Sequence, residues 1–194
     1  MNCVDLFKTL KEDQKLKKFL HIIEDSPVYP VFYDQKRTVL SLPPIINSDS
    51  TKISQNTKNC FIEVTGTDLT KCKIVLAILT SQFSEHCEGA SKFTVEPVDV
   101  IYEGNSDLGT IQSPCLDTES FEVEVNYITK LLGIPLDLKQ INEAAVKMGL
   151  NPVASSDAQN KVKFECSPIR PDILHACDIA EEIGIGYGFN NIPM

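Results

Sequence analysis

Residues 121–149, FEVEVNYITKLLGIPLDLKQINEAAVKMG, decide how this chain is built. They begin with strict alternation, Phe121, Val123 and Val125 against Glu122 and Glu124, the period-two pattern of a strand with one buried face. Asp137 then opens a helix, with Gln140 three residues on in capping-box spacing, and Gly149 closes it. KVKFECSPIRP, at 161–171, alternates again. Strand, helix and strand follow one another in this order.

Working back toward the N-terminus, the pattern changes near residue 115. FTVEPVDVIYEGNSDLGTI, at 93–111, reads as two strands about a Gly-Asn turn, and LTKCKIVLAILTSQFSEHC, at 69–87, as a long apolar helix capped by Thr67 or Asp68. Before it, CFIEVTGTD reads as a strand stopping at Gly66, behind a polar stretch at 47–59. VYPVFYDQKRTVLSLPPII, at 28–46, is two β-rich runs about a polar DQKR turn, a hairpin. Residues 4–23 space Val4, Leu6, Phe7, Leu10, Leu16, Phe19, Leu20 and Ile23 as one lead-in helix.

Length and composition set the outer limits. The 194 residues, 42% hydrophobic, have room for a real core and one or two domains, with two small ones expected. Against 27 acidic residues stand 18 basic ones, a net charge of −9, which excludes a nucleic-acid binder relying on a broad basic surface. Any RNA contact must be local or shared with a partner. The 7 cysteines have no CxxC pair and an odd total, so they read as reduced, mostly buried thiols of a cytosolic protein rather than a disulfide frame or zinc site. MNCVDLFKTLKEDQKLKKFL lacks a signal-peptide core, and no run approaches the ~20 apolar residues of a membrane helix.

Three stretches carry possible chemistry. IRPDILHACDIAEEIGIGYGFNNIP, at 169–193, places Pro171 where a helix would begin and Asp172 as a cap or first-turn residue. Its acids Asp172, Asp178, Glu181 and Glu182, with His175, spread over about half the helix circumference, and a solvated face accounts for most of that pattern. The sharper alternative is magnesium: Asp178 and Glu182 stand one turn apart with Glu181 beside them, and Mg²⁺ accepts an incomplete carboxylate cage completed by water. Calcium lacks an EF-hand loop here. Gly184, Gly186 and Gly188 close a helix rather than open one, so the dinucleotide fingerprint fails, and they serve close approach and chain exit, with Asn190, Asn191 and Pro193 turning the chain.

The second stretch is VTGTDLTK. Strand alternation would put Phe61, Glu63, Thr65 and Thr67 on one face, just ahead of a helix N-terminus whose free N–H groups could meet an anion or oxyanion. An ordinary polar edge strand followed by a capped helix explains the same residues. The third set is weak. His175 with Cys177, and His86 with Cys87, point in different directions for a nucleophile and its base, His21 reads as a surface histidine, and there is no GxSxG, HExxH or P-loop. A winged-helix DNA reader is disfavoured because its helix would be acidic.

Taken in order, SPVYPVFYD, VLSLPPIIN, NCFIEVTGTDLTK and IRPDILHACDIAEEIGIGYGFNNIP resemble the β subunit of phenylalanyl-tRNA synthetase, of the eukaryotic or archaeal type, from about residue 17 to the end. With 1–19 left as the lead-in helix, the resemblance implies a tRNA-editing domain over 20–112 with a β-sheet flanked by helices, and a small α+β domain over 116–194. It implies Mg²⁺ bound by the pattern matching Asp172, Asp178, Glu181 and Glu182, at a site that can be shared with the α subunit of an (αβ)₂ heterotetramer. That shifts the balance for these acids from solvated face to metal. It further implies a cytoplasmic segment of two internal domains with tRNA(Phe) as partner, no membrane and no DNA, while ATP and the synthetic site belong to the complete enzyme and its α subunit.

For the editing pocket the resemblance points to Glu63, Thr65, Gly66 and Thr67, walled by Leu40, Pro43 and Asn47. Glu63 would accept the phenolic hydroxyl of a misattached tyrosine, and a positioned water would attack the ester, since no general base stands out. The alternative is a non-catalytic RNA-binding and subunit-assembly module of the same synthetase.

Overall fold

The computed structural model describes residues 2–104, 107, 109–153 and 160–193. The chain divides into two compact units, 1–67 and 68–194.

The first unit starts with α1, Cys3–Leu10, whose N-cap Asn2 accepts the Asp5 amide at 2.8 Å. The single lead-in helix expected over 4–23 is interrupted: α2 is only Lys17–Leu20. The Asp13 carboxylate takes the amides of Lys15 and Leu16 at 2.7 and 2.9 Å, and this local bonding competes with the helical ladder. The expected hairpin forms, with β1 at Phe32–Tyr33 antiparallel to β2 at Val39–Ser41. Asp34 nucleates its turn by accepting the amides of Lys36 and Thr38, and the Arg37 guanidinium lies 4.0 Å over the Tyr33 ring. Phe7, Leu20, Ile23 and Leu42 form the core of this unit, with Tyr29 edge-on to Phe7 at 5.1 Å. Residues 58–66 form no strand, contrary to the sequence reading of CFIEVTGTD: among the described residues no strand pairs with them to hold the alternation.

In the second unit α3, Leu69–Ser84, is capped by Asp68, whose Oδ1 accepts the Lys71 amide at 3.1 Å. A hairpin follows, β3 at Val98–Ile101 with β4 at Thr110–Ser113; the expected Gly-Asn turn falls partly on residues 105, 106 and 108, outside the described ones. Then come β5 (Glu119–Glu124), α4 (Val125–Leu132), α5 (Leu138–Lys147), β6 (Asn151–Val153), β7 (Lys161–Cys166) and α6 (Ala176–Tyr187). The sheet order is β5-β7-β6, all antiparallel, with Phe121 opposite Phe164 and Val123 opposite Val162. Val162, Phe164 and Cys166 point inward from β7 to meet Ile128, Ile141, Ile179 and Ile183 from the three helices. The capping box is present as read: the Gln140 amide donates to Asp137 Oδ1 at 2.8 Å and the Asp137 amide to Gln140 Oε1 at 3.0 Å.

Two further readings change. α6 starts at Ala176 rather than at Pro171, because Asp178 Oδ2 accepts the amides of Leu174 and His175, at 2.9 and 2.8 Å, and closes the first turn there. Asp172 therefore lies ahead of the helix, and Gly184 and Gly186 lie inside it. Only Gly188, at φ +99, carries the chain out of it. The cysteines are free, but Cys166 is the one that is buried; Cys60, Cys87, Cys115 and Cys177 are exposed and Cys3 and Cys72 half-buried. The expectation of mostly buried thiols fails because most of them sit on loops or outer helix faces.

Candidate functional site

Glu63 is half-buried in an irregular segment, and its Oε2 is shielded from solvent with no hydrogen-bond partner among the described residues. A sequestered carboxylate oxygen without a donor is costly, so it marks a place where a donor from outside would be accepted. Thr65, Gly66 and Thr67 are exposed, and Phe61 is also on the surface at 62% exposure. The common face expected from strand alternation is therefore absent. Of the wall residues, Leu40 and Pro43 are half-buried and flank the core residue Leu42, while Asn47 is exposed with φ 67. At the start of α3 the Asp68 carboxylate already takes one free amide and adds negative charge, which weakens that helix end as an anion site.

The four acids of 169–193 are held differently from a metal cage. Arg170 Nη2 donates to Asp172 Oδ2 at 2.6 Å and lies 3.0 Å from Glu182 Oε1, while its Nε reaches both Asp172 oxygens at 3.0 and 3.2 Å. The Arg170 Nη1 donates to the carbonyl of Met148, at the end of α5, at 2.7 Å. Paired in this way the guanidinium is held above its already high ordinary pKa, chiefly by the hydrogen bond to Asp172 and then by Glu182, and the Asp172 carboxyl is held low by Arg170. Asp178 spends Oδ2 on two backbone amides, which hold its pKa low as well, and its Oδ1 faces the Cys177 thiol at 3.6 Å. Glu181 is exposed.

Among the described residues no three His, Cys, Asp or Glu side chains are grouped to hold a metal. Glu182 Oε2 is buried and has no hydrogen-bond partner among the described residues, yet the space beside its other oxygen is filled by a guanidinium. As arranged, the donor set does not fit Mg²⁺, which needs near-octahedral oxygen ligands at about 2.1 Å. Sequence reasoning missed Arg170. Its position two residues before Asp172 was the available signal, since such a pair can close on itself.

Comparison with known proteins matches both stretches to known domains. Residues 6–87 match the B3/4 domain and residues 121–189 the tRNA synthetase B5 domain. The cytoplasmic phenylalanine–tRNA ligase β subunit of Arabidopsis thaliana is 49% identical over 191 residues, covering 97% of this chain and 31% of that protein. Along nearly its whole length the chain is similar to phenylalanine–tRNA ligase β subunits. The Homo sapiens β subunit is 44% identical over 190 residues, again 31% of its length, so the chain spans about a third of the curated relatives it matches. The crystal structure of an N-terminal fragment of the phenylalanyl-tRNA synthetase β subunit from Pyrococcus horikoshii is similar at a TM-score of 0.79 and 34% identity, over 94% of this chain and 50% of that one. The resemblance carried by the quoted motifs is thereby confirmed, as is the mixed α and β architecture. The B3/4 match runs past residue 67, where the compact units divide.

Proposed function

We propose that this chain is part of a cytoplasmic phenylalanine–tRNA ligase, working with an α subunit in an (αβ)₂ assembly that uses ATP to charge tRNA(Phe), and that its B3/4 region removes tyrosine attached in error. The physical need is plain. An apolar pocket shaped for phenylalanine rejects an analogue bearing one extra hydroxyl by only about 10²-fold, so tyrosine passes. A second site that hydrogen-bonds the phenol reverses the preference, because its own polar group stays unpaired when phenylalanine enters.

The observation that carries this reading is the orphaned, shielded Oε2 of Glu63, an acceptor waiting for an O–H donor. The reaction is hydrolysis of the ester joining tyrosine to the terminal ribose. Water adds to the ester carbonyl, the ribose oxygen leaves with a proton, and free tyrosine departs. Thr65 and Thr67, exposed two and four residues after Glu63, supply hydroxyls that can orient the substrate or the water.

The test is single-turnover deacylation of tyrosyl-tRNA(Phe) and phenylalanyl-tRNA(Phe) by the chain and by its assembly with the α subunit. Selective hydrolysis of the tyrosyl ester, slowed about 10- to 100-fold in Glu63→Ala, is expected from loss of a charge-assisted hydrogen bond. Full activity and selectivity in Glu63→Ala would remove Glu63 as the reader of the phenol. An absence of hydrolysis in both forms would leave the chain as an assembly and RNA-holding module.

A further inference from the structure

The acid cluster of 169–182 contains a cation of its own. Arg170 stands between Asp172 and Glu182, facing the first with a two-nitrogen fork and the second with Nη2, and it reaches Met148 with its remaining arm. The side chains of Arg170 and Glu182 are 23% and 13% exposed, so this pair is largely withdrawn from water, while Asp172 at 55% is the outer partner. Planar fork geometry of this kind is a property of arginine and of no other side chain.

A divalent ion arriving here would meet a positive charge already within 2.6–3.0 Å of two of the four carboxylates. Asp178 cannot turn toward the ion without giving up the two amides that start α6. That leaves exposed Glu181 as the one acid without a structural engagement in this arrangement. The protein has thus committed both Asp172 oxygens, Asp178 Oδ2 and Glu182 Oε1 to protein donors, while Glu182 Oε2 stays buried without a donor among the described residues.

We propose that Arg170, rather than a divalent cation, is the resident cation of this cluster, and that Arg170, Asp172 and Glu182 form a clasp joining the end of α5, the 167–175 loop and α6. The clasp stands independently of the editing reading. Arg170 is its positioning residue: it closes the cluster charge and fixes the helix that carries Gly184 and Gly186 against its neighbours.

The experiment compares the whole chain with Arg170→Met, Arg170→Lys and Asp178→Asn by thermal unfolding in millimolar Mg²⁺ and in EDTA at matched ionic strength, alongside Mn²⁺ titration followed by the free-ion EPR signal. Expected for the unsubstituted chain are equal midpoints in Mg²⁺ and EDTA and an undiminished Mn²⁺ signal. Arg170→Met is expected to lower the midpoint by about 10 °C, since it strands a mostly buried carboxylate, and Arg170→Lys to recover part of that, because it keeps the charge and loses the fork. Saturable Mn²⁺ uptake by the unsubstituted chain, with a Mg²⁺-dependent rise in midpoint that Asp178→Asn abolishes, would overturn the proposal. So would an unchanged midpoint in Arg170→Met. Should Arg170→Met fail to fold, the Mn²⁺ titration of the unsubstituted chain decides the matter alone.

Discussion

A methyl group on Gly186 would stand 2.9 Å from the carbonyl carbon of Ala144 and closer still to its oxygen. The backbones of α5 and α6 meet there with nothing between them, and Lys147 Nζ donates to the Gly186 carbonyl at 3.3 Å across the same contact. Gly186→Ala must therefore push two helices apart rather than bend a side chain. The expected cost is about 3 kcal/mol, read as a shift in the urea midpoint. Gly184→Ala is expected to cost less, because the atoms it meets are the Leu132 Cδ2 and Phe189 Cε1 side-chain tips, which can move. Equal costs at both positions would contradict this contact geometry.

The capping box of α5 gives a smaller and cleaner prediction. Asp137→Ala removes the acceptor of the Gln140 amide and frees the Gln140 side chain, for an expected loss of about 1 kcal/mol in chemical denaturation. Asp137→Asn is expected to retain most of the stability, since its amide oxygen still accepts.

Acid should loosen the start of α6. The folded pKa of Asp178 is depressed, by the Leu174 and His175 amides first, and that of Asp172 by Arg170. A depressed carboxyl adds stability above its unfolded pKa and loses it as pH falls through the folded value, so the midpoint should drop as pH goes below about 4. Asp178→Asn has no such charge to lose and should show a flatter acid limb. A parallel limb in the two proteins would show that Asp178 does not contribute.

Thiol labelling checks burial residue by residue. Cys60, Cys87, Cys115 and Cys177 are expected to react with an aromatic disulfide reagent in the native protein, while Cys166, enclosed in the sheet and with its thiol pKa pushed up by burial, reacts only on unfolding. Mass mapping of the labelled peptides identifies which thiols react first. Early labelling at Cys166 would mean that the β7 face opens locally.

Much of the second unit was legible in sequence. Alternation over Phe121–Glu124 and Val162–Cys166 predicts strands, Asp137 with Gln140 predicts the box, and Gly149 at φ +76 ends its helix as a glycine should. The same logic failed at Phe61, Glu63 and Thr65, where alternation in sequence found no strand to pair with. It also failed over 11–16, where Asp13 diverts two amides from the ladder.

The sequence by itself determined the local grammar and the resemblance to phenylalanine–tRNA ligase β subunits, because caps, turns and period-two runs depend on neighbours a few residues away and several long motifs agree in order. Tertiary structure alone decided what the charged residues do. Whether Asp172 and Glu182 face water, a metal ion or Arg170 depends on where residues 10 and 12 positions apart come to rest. Whether Glu63 keeps an unpaired oxygen depends on which donors folding brings to it. Coulomb and hydrogen-bond energies vary over a few ångströms and with burial, and a list of residue types carries neither quantity.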